Sequence, residues 1–210
     1  MKLFSAFISA TLAARECGDY ACIESIETVG CLDTCYEDDC HGTQMYCCGE
    51  LAQNDWDAII KFQSVTKAAA EAKNIDHNIL AAIMSRESRA GRKLESWNGE
   101  YGPGWGKCKN GSCYGWGLMQ VDRRFHQPVG AWDSQEHLEQ ATQILIDQIN
   151  CISRKFDRWT LPMKTKGGIC AYNRGCSHVQ NYDGMDIGTD GNDYANDSVC
   201  RGQWFKNRGF

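Results

Sequence analysis

Apolar residues recur at helical spacing in several separate stretches of the chain. One stripe follows Asp55 and predicts an amphipathic helix; its members are Trp56, Ile59, Ile60, Val65, Ala68, Ala69 and Ala72. A second stripe is formed by Ile79, Leu80, Ile83 and Met84. Asp76 before it can cap a helix, and Gly91 after it can end one, so this stripe predicts a bounded helix.

A longer stripe predicts the longest helix of the chain. Asp133 and Glu136 form a capping-box-like pair in front of it. Its apolar side is made of Leu138, Ala141, Leu145, Ile149, Ile152 and Phe156. Shorter helices are predicted over residues 166–175 and 193–207.

The stretch between the second and third stripes is rich in glycine and predicts loops or short strands. Asn110-Gly111 is a hairpin signal, and Cys108 and Cys113 flank it at a spacing that a disulfide could close. Because helices dominate around one small glycine-rich region, the sequence predicts an α+β fold that is predominantly α-helical.

Glu87 follows Ile83 by four residues and therefore falls on the apolar stripe of its helix. Burial disfavours the charged form of a carboxyl group, which suits a general acid. The alternative is a glutamate that reaches solvent or pairs with Arg86 or Arg89, because structural ion pairs are common around helix ends.

The first residues have the pattern of a secretory signal peptide. Lys2 precedes an apolar run over residues 3–14, which is too short to span a bilayer. We predict cleavage near Ala14, a cysteine-rich segment over residues 15–50 and a main domain over residues 51–210. A buried N-terminal helix is the alternative for the first segment.

Thirteen cysteines accompany this export signal, seven of them between Cys17 and Cys48. Together they indicate an oxidising compartment and disulfides. The odd total leaves at least one thiol free or paired with another chain. A zinc site in the N-terminal cluster is the competing interpretation, but clean C-x2-C pairs are absent there. We therefore expect no metal. With few large apolar residues, the segment needs disulfides to hold its structure. It could serve as an anchor, as a lid or as a clamp on the main domain.

Charge is distributed unevenly along the chain. Residues 15–50 carry one arginine and nine acidic residues, a net charge of −8, whereas residues 51–210 carry twenty basic and eighteen acidic residues, a net charge of +2. A balance of +2 is too small to identify an anionic partner. No long basic run or basic aromatic stripe indicates nucleic acid, and no second apolar segment indicates a membrane.

Three segments in order along the chain resemble goose-type lysozymes, and more distantly the soluble lytic transglycosylases. They are the helix that carries Glu87, residues 115–122 (GWGLMQVD), and residues 171–173 (AYN). The resemblance runs from about Asp55 to the C-terminus and includes residues 185–189 and 193–197. It implies a lysozyme-like fold in which the glycine-rich region lies beside a cleft.

The resemblance also implies catalytic roles for two carboxylates. Glu87 is the expected general acid, and Asp122, which closes the GWGLMQVD segment, is expected to help water attack. The alternative for Asp122 is a helix cap or a salt bridge to Arg123 or Arg124. Goose-type lysozymes usually carry a further aspartate in the preceding loop, but here Lys107 follows the Gly-Trp-Gly of that loop.

Five further residues are expected to bind the saccharide. The Tyr-Asn pair that the resemblance brings in can contact sugar hydroxyls or the acetamido group, and the alternative is core packing and helix capping. A tryptophan in a glycine loop can stack on a sugar ring. These residues are Tyr172, Asn173, His126, Gln120 and Trp116.

The sequence thus predicts a secreted, extracellular and monomeric lysozyme that cleaves the β-1,4 bond between N-acetylmuramic acid and N-acetylglucosamine in peptidoglycan. We expect no cofactor, no nucleic-acid partner and no membrane partner. A lytic transglycosylase and a non-catalytic peptidoglycan-binding protein stay open as alternatives, and chitinase is a minor one.

Overall fold

A computed structural model describes residues 17–31, 44–94, 103–109 and 112–210 of the chain. Within them lie six α-helices and a three-stranded antiparallel sheet, in agreement with the predicted α+β fold that is predominantly α-helical. The helices are α1 (Gln44–Ile59), α2 (Gln63–Ala72), α3 (His77–Ser88), α4 (Gln135–Lys155), α5 (Leu161–Arg174) and α6 (Tyr194–Asn207). The strands are β1 (Trp105–Lys109), β2 (Ser112–Trp116) and β3 (Val121–Asp122). Short 3-10 helices cover Ile23–Ser25, Ile60–Phe62 and Asp190–Asn192.

Helix α3 lies at the centre of the core. It packs on α6 and also contacts α2 and α1, whereas α4 packs on α5 and α2. Every residue of α3 from Asn78 to Ser85 is buried, which removes more apolar surface from water than a one-sided stripe would. A central helix of this kind is a rigid support for a side chain at its last turn.

The sheet is the glycine-rich region that the sequence predicted. Strands β1 and β2 form a hairpin in which Trp105 faces Trp116 and Cys108 faces Cys113, and the two cysteines form the expected disulfide. The predicted Asn-Gly tip lies outside the described residues. Strand β3 pairs with β2 and brings Asp122 opposite Gly115.

Three helix starts differ from the sequence prediction. The helical pattern predicted from Asp55 begins earlier, since α1 starts at Gln44, and the 3-10 turn Ile60–Phe62 divides that stripe between α1 and α2. Helix α4 is capped by Ser134, whose hydroxyl accepts the N–H of His137, so the predicted pair of Asp133 and Glu136 does not form the cap. Ser134 caps the helix because its short side chain reaches the free N–H groups of the first turn. Helix α5 begins at Leu161 after a Thr160 cap, earlier than predicted.

The start of α3 follows the prediction, and its end comes slightly earlier. Asp76 accepts the N–H of Asn78 and caps the helix. The helix ends at Ser88, and Arg89 takes the left-handed conformation before Gly91 does. The chain therefore turns away directly after Glu87.

Residues 17–31 lie against the main domain, as a clamp would. Ile23 is fully buried, and its N–H donates to the Asp76 carboxylate at 2.8 Å. Gln203 of α6 donates to the carbonyls of Ile23 and Ile26. These contacts favour the clamp over the lid, while residues 1–16, which contain the predicted signal peptide, lie outside the described residues.

A disulfide ties the N-terminal half to the last helix, because Cys48 of α1 pairs with Cys200 of α6. A second disulfide is local and joins Cys17 to Cys22. Since α1 runs across residue 50, the predicted boundary there falls within a helix; the division into two segments stays a prediction. Among the described residues no helix combines the length and the apolar character needed to cross a membrane.

Three further cysteines form one disulfide and one free thiol, which is consistent with the odd number of cysteines in the chain. Cys151 pairs with Cys176 and joins the end of α4 to the residues that follow α5. Cys170 carries a free, buried thiol that donates to the Met185 carbonyl at 3.0 Å. Burial raises the pKa of this thiol, so it stays protonated and unreactive.

Candidate active site

A cleft of about 710 Å³ lies between the sheet and the ends of α3 and α5. It unites the segments that the sequence singled out, because Glu87 from α3, Asp122 from β3 and Tyr172 from α5 all line it. Other lining residues are Gln120, Arg124, Phe125, His126, Asn173, Arg174 and His178. A cleft of this volume that is lined by two carboxylates is suited to a saccharide.

Glu87 occupies the last turn of α3 and is half-buried. The hydroxyl of Tyr194, at the start of α6, donates to its Oε1 atom at 2.7 Å. Tyr194 is 1% exposed, and burial, followed by the nearby charge of Glu87, raises its pKa well above the usual value. Tyr194 therefore remains a hydrogen-bond donor and fixes the direction of the carboxyl group.

A buried ionic network lies directly behind Glu87. Arg86 donates to Asp193 at 2.9 Å and to Asp197 at 2.8 Å, and its guanidinium lies 5.6 Å from the centre of the Tyr194 ring. Although burial lowers the pKa of Arg86, Asp197 and Asp193 raise it above its usual value. Arg86 is therefore a permanent cation that holds the start of α6 against the end of α3.

Asp55 of α1 is the third carboxylate of this network and is fully buried. Ser85 and Arg89 donate to it at 2.7 Å and 2.6 Å, Arg92 contacts it, and Arg201 lies 3.4 Å away. Arg201 in turn binds Asp197, which joins the two halves of the network. The sequence alternative of Arg89 as a partner for Glu87 is replaced by this pairing with Asp55.

Asp122 has a more open environment on the opposite wall. Its side chain is 30% exposed, and the side chain of Arg124, at 56% exposure, donates to both carboxylate oxygens. The Arg124 N–H also donates to Asp122. The salt bridge considered from the sequence therefore forms, yet the carboxylate still lines the cleft.

Gln120 is held inside the turn that leads to Asp122. It is 7% exposed, has a φ of 52°, and donates from Nε2 to the Gly117 carbonyl at 2.8 Å. A Cβ atom on Gly106 or Gly115 would overlap the Gln120 amide. The two glycines thus leave the space that Gln120 fills, and this accounts for the glycine pattern of the hairpin.

Met119, in the same turn, is held from both sides through its backbone. Its carbonyl accepts the Tyr172 hydroxyl at 2.8 Å, and its N–H donates to Nε2 of buried His137 at 3.2 Å. Burial lowers the pKa of His137 to about 4, so the ring is neutral and accepts at neutral pH. Burial, followed by the charge of Glu87, also raises the pKa of Tyr172 well above the usual value.

The other expected saccharide contacts are placed differently from one another. Asn173 forms two hydrogen bonds with Asp190, through its amide at 3.3 Å and its carbonyl at 3.2 Å, and it lines the cleft. His126 is exposed at the cleft. Trp116 packs on Trp105 at 4.8 Å between ring centres and is not among the cleft-lining residues. Its role in substrate binding stays a prediction.

Sequence reasoning missed Tyr194 and His137, the side chains that support the two walls. Residues 193–197 were recognised as a motif, but nothing in the local pattern shows that Tyr194 reaches Glu87, 107 residues away. His137 falls on the apolar side of α4, next to Leu138, and that position was the available signal. Both contacts join separate elements, α6 with α3 and α4 with the turn before β3.

The comparisons with known proteins agree with this geometry. A family model described as Lysozyme g matches residues 20–209. The chain is 39% identical over 194 residues to Lysozyme g of Casuarius casuarius, covering 92% of this chain and 99% of that protein. It is 44% identical over 161 residues to Lysozyme g of Struthio camelus (77% and 74% covered) and also over 161 residues to Lysozyme g of Cyprinus carpio (77% and 81% covered).

Proposed function

Since this chain belongs to the lysozyme g family of glycoside hydrolases, we propose that the cleft binds the glycan strand and that Glu87 is the general acid. The protein hydrolyses bacterial peptidoglycan. The scissile bond in this proposal is the β-1,4 bond between N-acetylmuramic acid and N-acetylglucosamine. The observation that carries it is the pair of carboxylates, Glu87 and Asp122, lining one cleft.

Glu87 protonates the leaving oxygen as the glycosidic bond breaks. Tyr194 donates to Oε1, so the proton to be transferred resides on Oε2. A fixed carboxyl direction matters because proton transfer requires hydrogen-bond distance to the substrate oxygen. The buried network behind α3 supplies that rigidity.

Asp122 orients or deprotonates the water that attacks from the opposite face. Its hydrogen bonds with the side chain and the backbone N–H of Arg124 keep the carboxylate directed along the wall. No aspartate occurs between Trp97 and Val121, so Asp122 performs this role without the further loop aspartate usual in goose-type lysozymes. The proposed reaction is a single displacement with inversion at the anomeric carbon.

We infer secretion and a monomeric state as parts of the same proposal. The export pattern over residues 1–14 and the disulfides, which suit an oxidising compartment, support an extracellular enzyme. Its substrate lies outside the bacterial cell, which agrees with this location.

Glu87→Gln tests the proposed acid directly. Release of reducing ends from purified peptidoglycan should fall by roughly 10²–10⁴-fold, the usual contribution of a general acid. Glu71→Gln, an exposed glutamate of α2, is the matched control and should retain activity. If Glu87→Gln keeps more than about a tenth of wild-type activity, the assignment is wrong, since this loss would be smaller than acid catalysis supplies.

A further inference from the structure

Arg174 is a cation that lines the cleft and can contact a bound substrate. It is the last residue of α5, directly after Tyr172 and Asn173, and its exposed side chain lines the cleft. Goose-type and transglycosylase motifs drew attention to the Tyr-Asn pair, but they give Arg174 no role.

The arginines that form ion pairs in this protein differ from Arg174. Arg86, Arg89, Arg92, Arg124 and Arg201 all contact a carboxylate. The side chain of Arg174 forms no hydrogen bond or ion pair with any other residue that the structure describes. A cation near a helix C-terminus gains some stabilisation from the helix dipole, but this effect does not explain its location in the cleft.

Arg174 also changes the charge balance of the cleft. Among the described residues, the acidic and arginine side chains that line the cleft are Glu87, Asp122, Arg124 and Arg174. Asp122 and Arg124 neutralise each other through their ion pair. Of these four residues, Arg174 is a cation whose side chain contacts no carboxylate among the described residues, so it favours an anionic group on the substrate.

We propose that Arg174 binds a carboxylate carried by the muramic residues of peptidoglycan and thereby favours this substrate over chitin. Each muramic acid bears a lactyl group, whose carboxyl is either free or joined to a peptide stem with carboxylates of its own. Chitin has the same β-1,4 backbone without any carboxylate. A guanidinium matches a carboxylate with two parallel hydrogen bonds. The inference rests on the proposed use of the cleft for the glycan strand.

Three substrates separate the possible sources of the carboxylate. They are glycan strands with peptide stems, the same strands after amidase treatment, which leaves only the lactyl carboxylates, and chitin hexasaccharide. For Arg174→Gln we expect KM to rise roughly fivefold on whichever strand carries the recognised carboxylate, with kcat unchanged, as for loss of one solvent-exposed charge contact. Arg174→Lys should recover part of the loss. Arg158→Gln, another exposed arginine outside the cleft lining, removes the same charge and should have no effect.

Binding in a Glu87→Gln background makes the outcome independent of turnover. In that background, Arg174→Gln should raise the dissociation constant for the strands that carry the recognised carboxylate. The dissociation constant for chitin hexasaccharide should not change. An equal loss on all three ligands, or no loss on any, would overturn the role of Arg174. Failure of the Glu87→Gln protein to bind any glycan would instead overturn the proposed use of the cleft.

Discussion

The two walls of the cleft hold their carboxylates by different means. Glu87 stands in front of a buried ionic network and receives a hydrogen bond from buried Tyr194. Asp122 is paired with an exposed arginine, and the turn before it is held by uncharged hydrogen bonds to Met119. The acid is thus set on a rigid scaffold, whereas the second carboxylate lies on a lighter, solvent-accessible one.

This difference matches the demands of the proposed reaction. Protonation of a glycosidic oxygen requires the acid at a defined distance and angle, so a rigid support is useful. A carboxylate that acts through water tolerates more movement, because the water can adjust its position. The four predictions below break one wall at a time, in order of decreasing effect.

The largest effect is expected from Asp55→Ala, in the network behind Glu87. This change removes the buried carboxylate that Arg89 and Arg201 both contact, which should destabilise the fold by about 3–5 kcal/mol. Urea unfolding measures the change. Asp157→Ala, at an exposed position, should stay within about 0.5 kcal/mol of wild type. A loss below about 1 kcal/mol for Asp55→Ala would mean that the network does not support α3.

The next effect is an acid sensitivity of the Asp122 wall. Burial lowers the pKa of His137 from its usual value of 6.5 to about 4, so between these values the unfolded chain binds a proton that the folded protein does not. Stability therefore falls as the pH decreases through this window, by about 3 kcal/mol in total from this group. Below about pH 4 the folded protein is protonated too, and the loss levels off.

His137→Gln should flatten that part of the stability profile between pH 7 and pH 4, while lowering stability at pH 7. Glutamine can still accept from Met119 but does not titrate. His126→Gln, at an exposed site, should retain the wild-type slope. An unchanged slope in His137→Gln would show that other groups cause the acid sensitivity.

Tyr194→Phe should reduce kcat without unfolding the protein. The change removes the hydrogen bond to Glu87 Oε1 and releases the carboxyl from its fixed direction. We expect a loss of roughly tenfold to a hundredfold, the equivalent of one hydrogen bond to a charged group. Tyr182→Phe, outside the cleft, is the control. A wild-type kcat in Tyr194→Phe would show that the hydrogen bond from Tyr194 does not position Glu87 for catalysis.

The smallest effect is expected from Arg124→Gln. Because the ion pair with Asp122 is exposed, its loss should leave the unfolding midpoint unchanged and lower activity by about threefold. The difference from wild type should shrink as salt increases, since salt screens exposed pairs. A loss as large as that of Asp122→Asn would show that the Asp122 wall is as tightly constrained as the Glu87 wall.

Sequence reasoning predicted the elements whose causes are local. Apolar spacing gave the helices around Ile83 and Leu145, Asp76 gave the start of α3, and the cysteine spacing gave the hairpin disulfide. The predicted cap of α4 was wrong because serine and aspartate are both good caps. Whether Asp133 or Ser134 caps the helix depends on the backbone geometry before it.

The supports of the candidate site could not be predicted in this way. Tyr194 and Glu87 meet because α6 packs on α3, and the Asp55 network joins α1, α3 and α6. Contacts of this kind depend on tertiary packing, for which neither periodicity nor capping gives a signal. The sequence suggested the two carboxylates, but not the difference between their walls.

The most direct test of the central claim is mass spectrometry of products formed from peptidoglycan in H₂¹⁸O, by wild type and by Glu87→Gln. The account predicts reducing muramic ends that carry one ¹⁸O atom, produced by wild type and almost absent with Glu87→Gln. Anhydromuramic ends without ¹⁸O would contradict the direct attack of water and identify a transglycosylase. Labelled reducing ends formed equally by both proteins would contradict the role of Glu87.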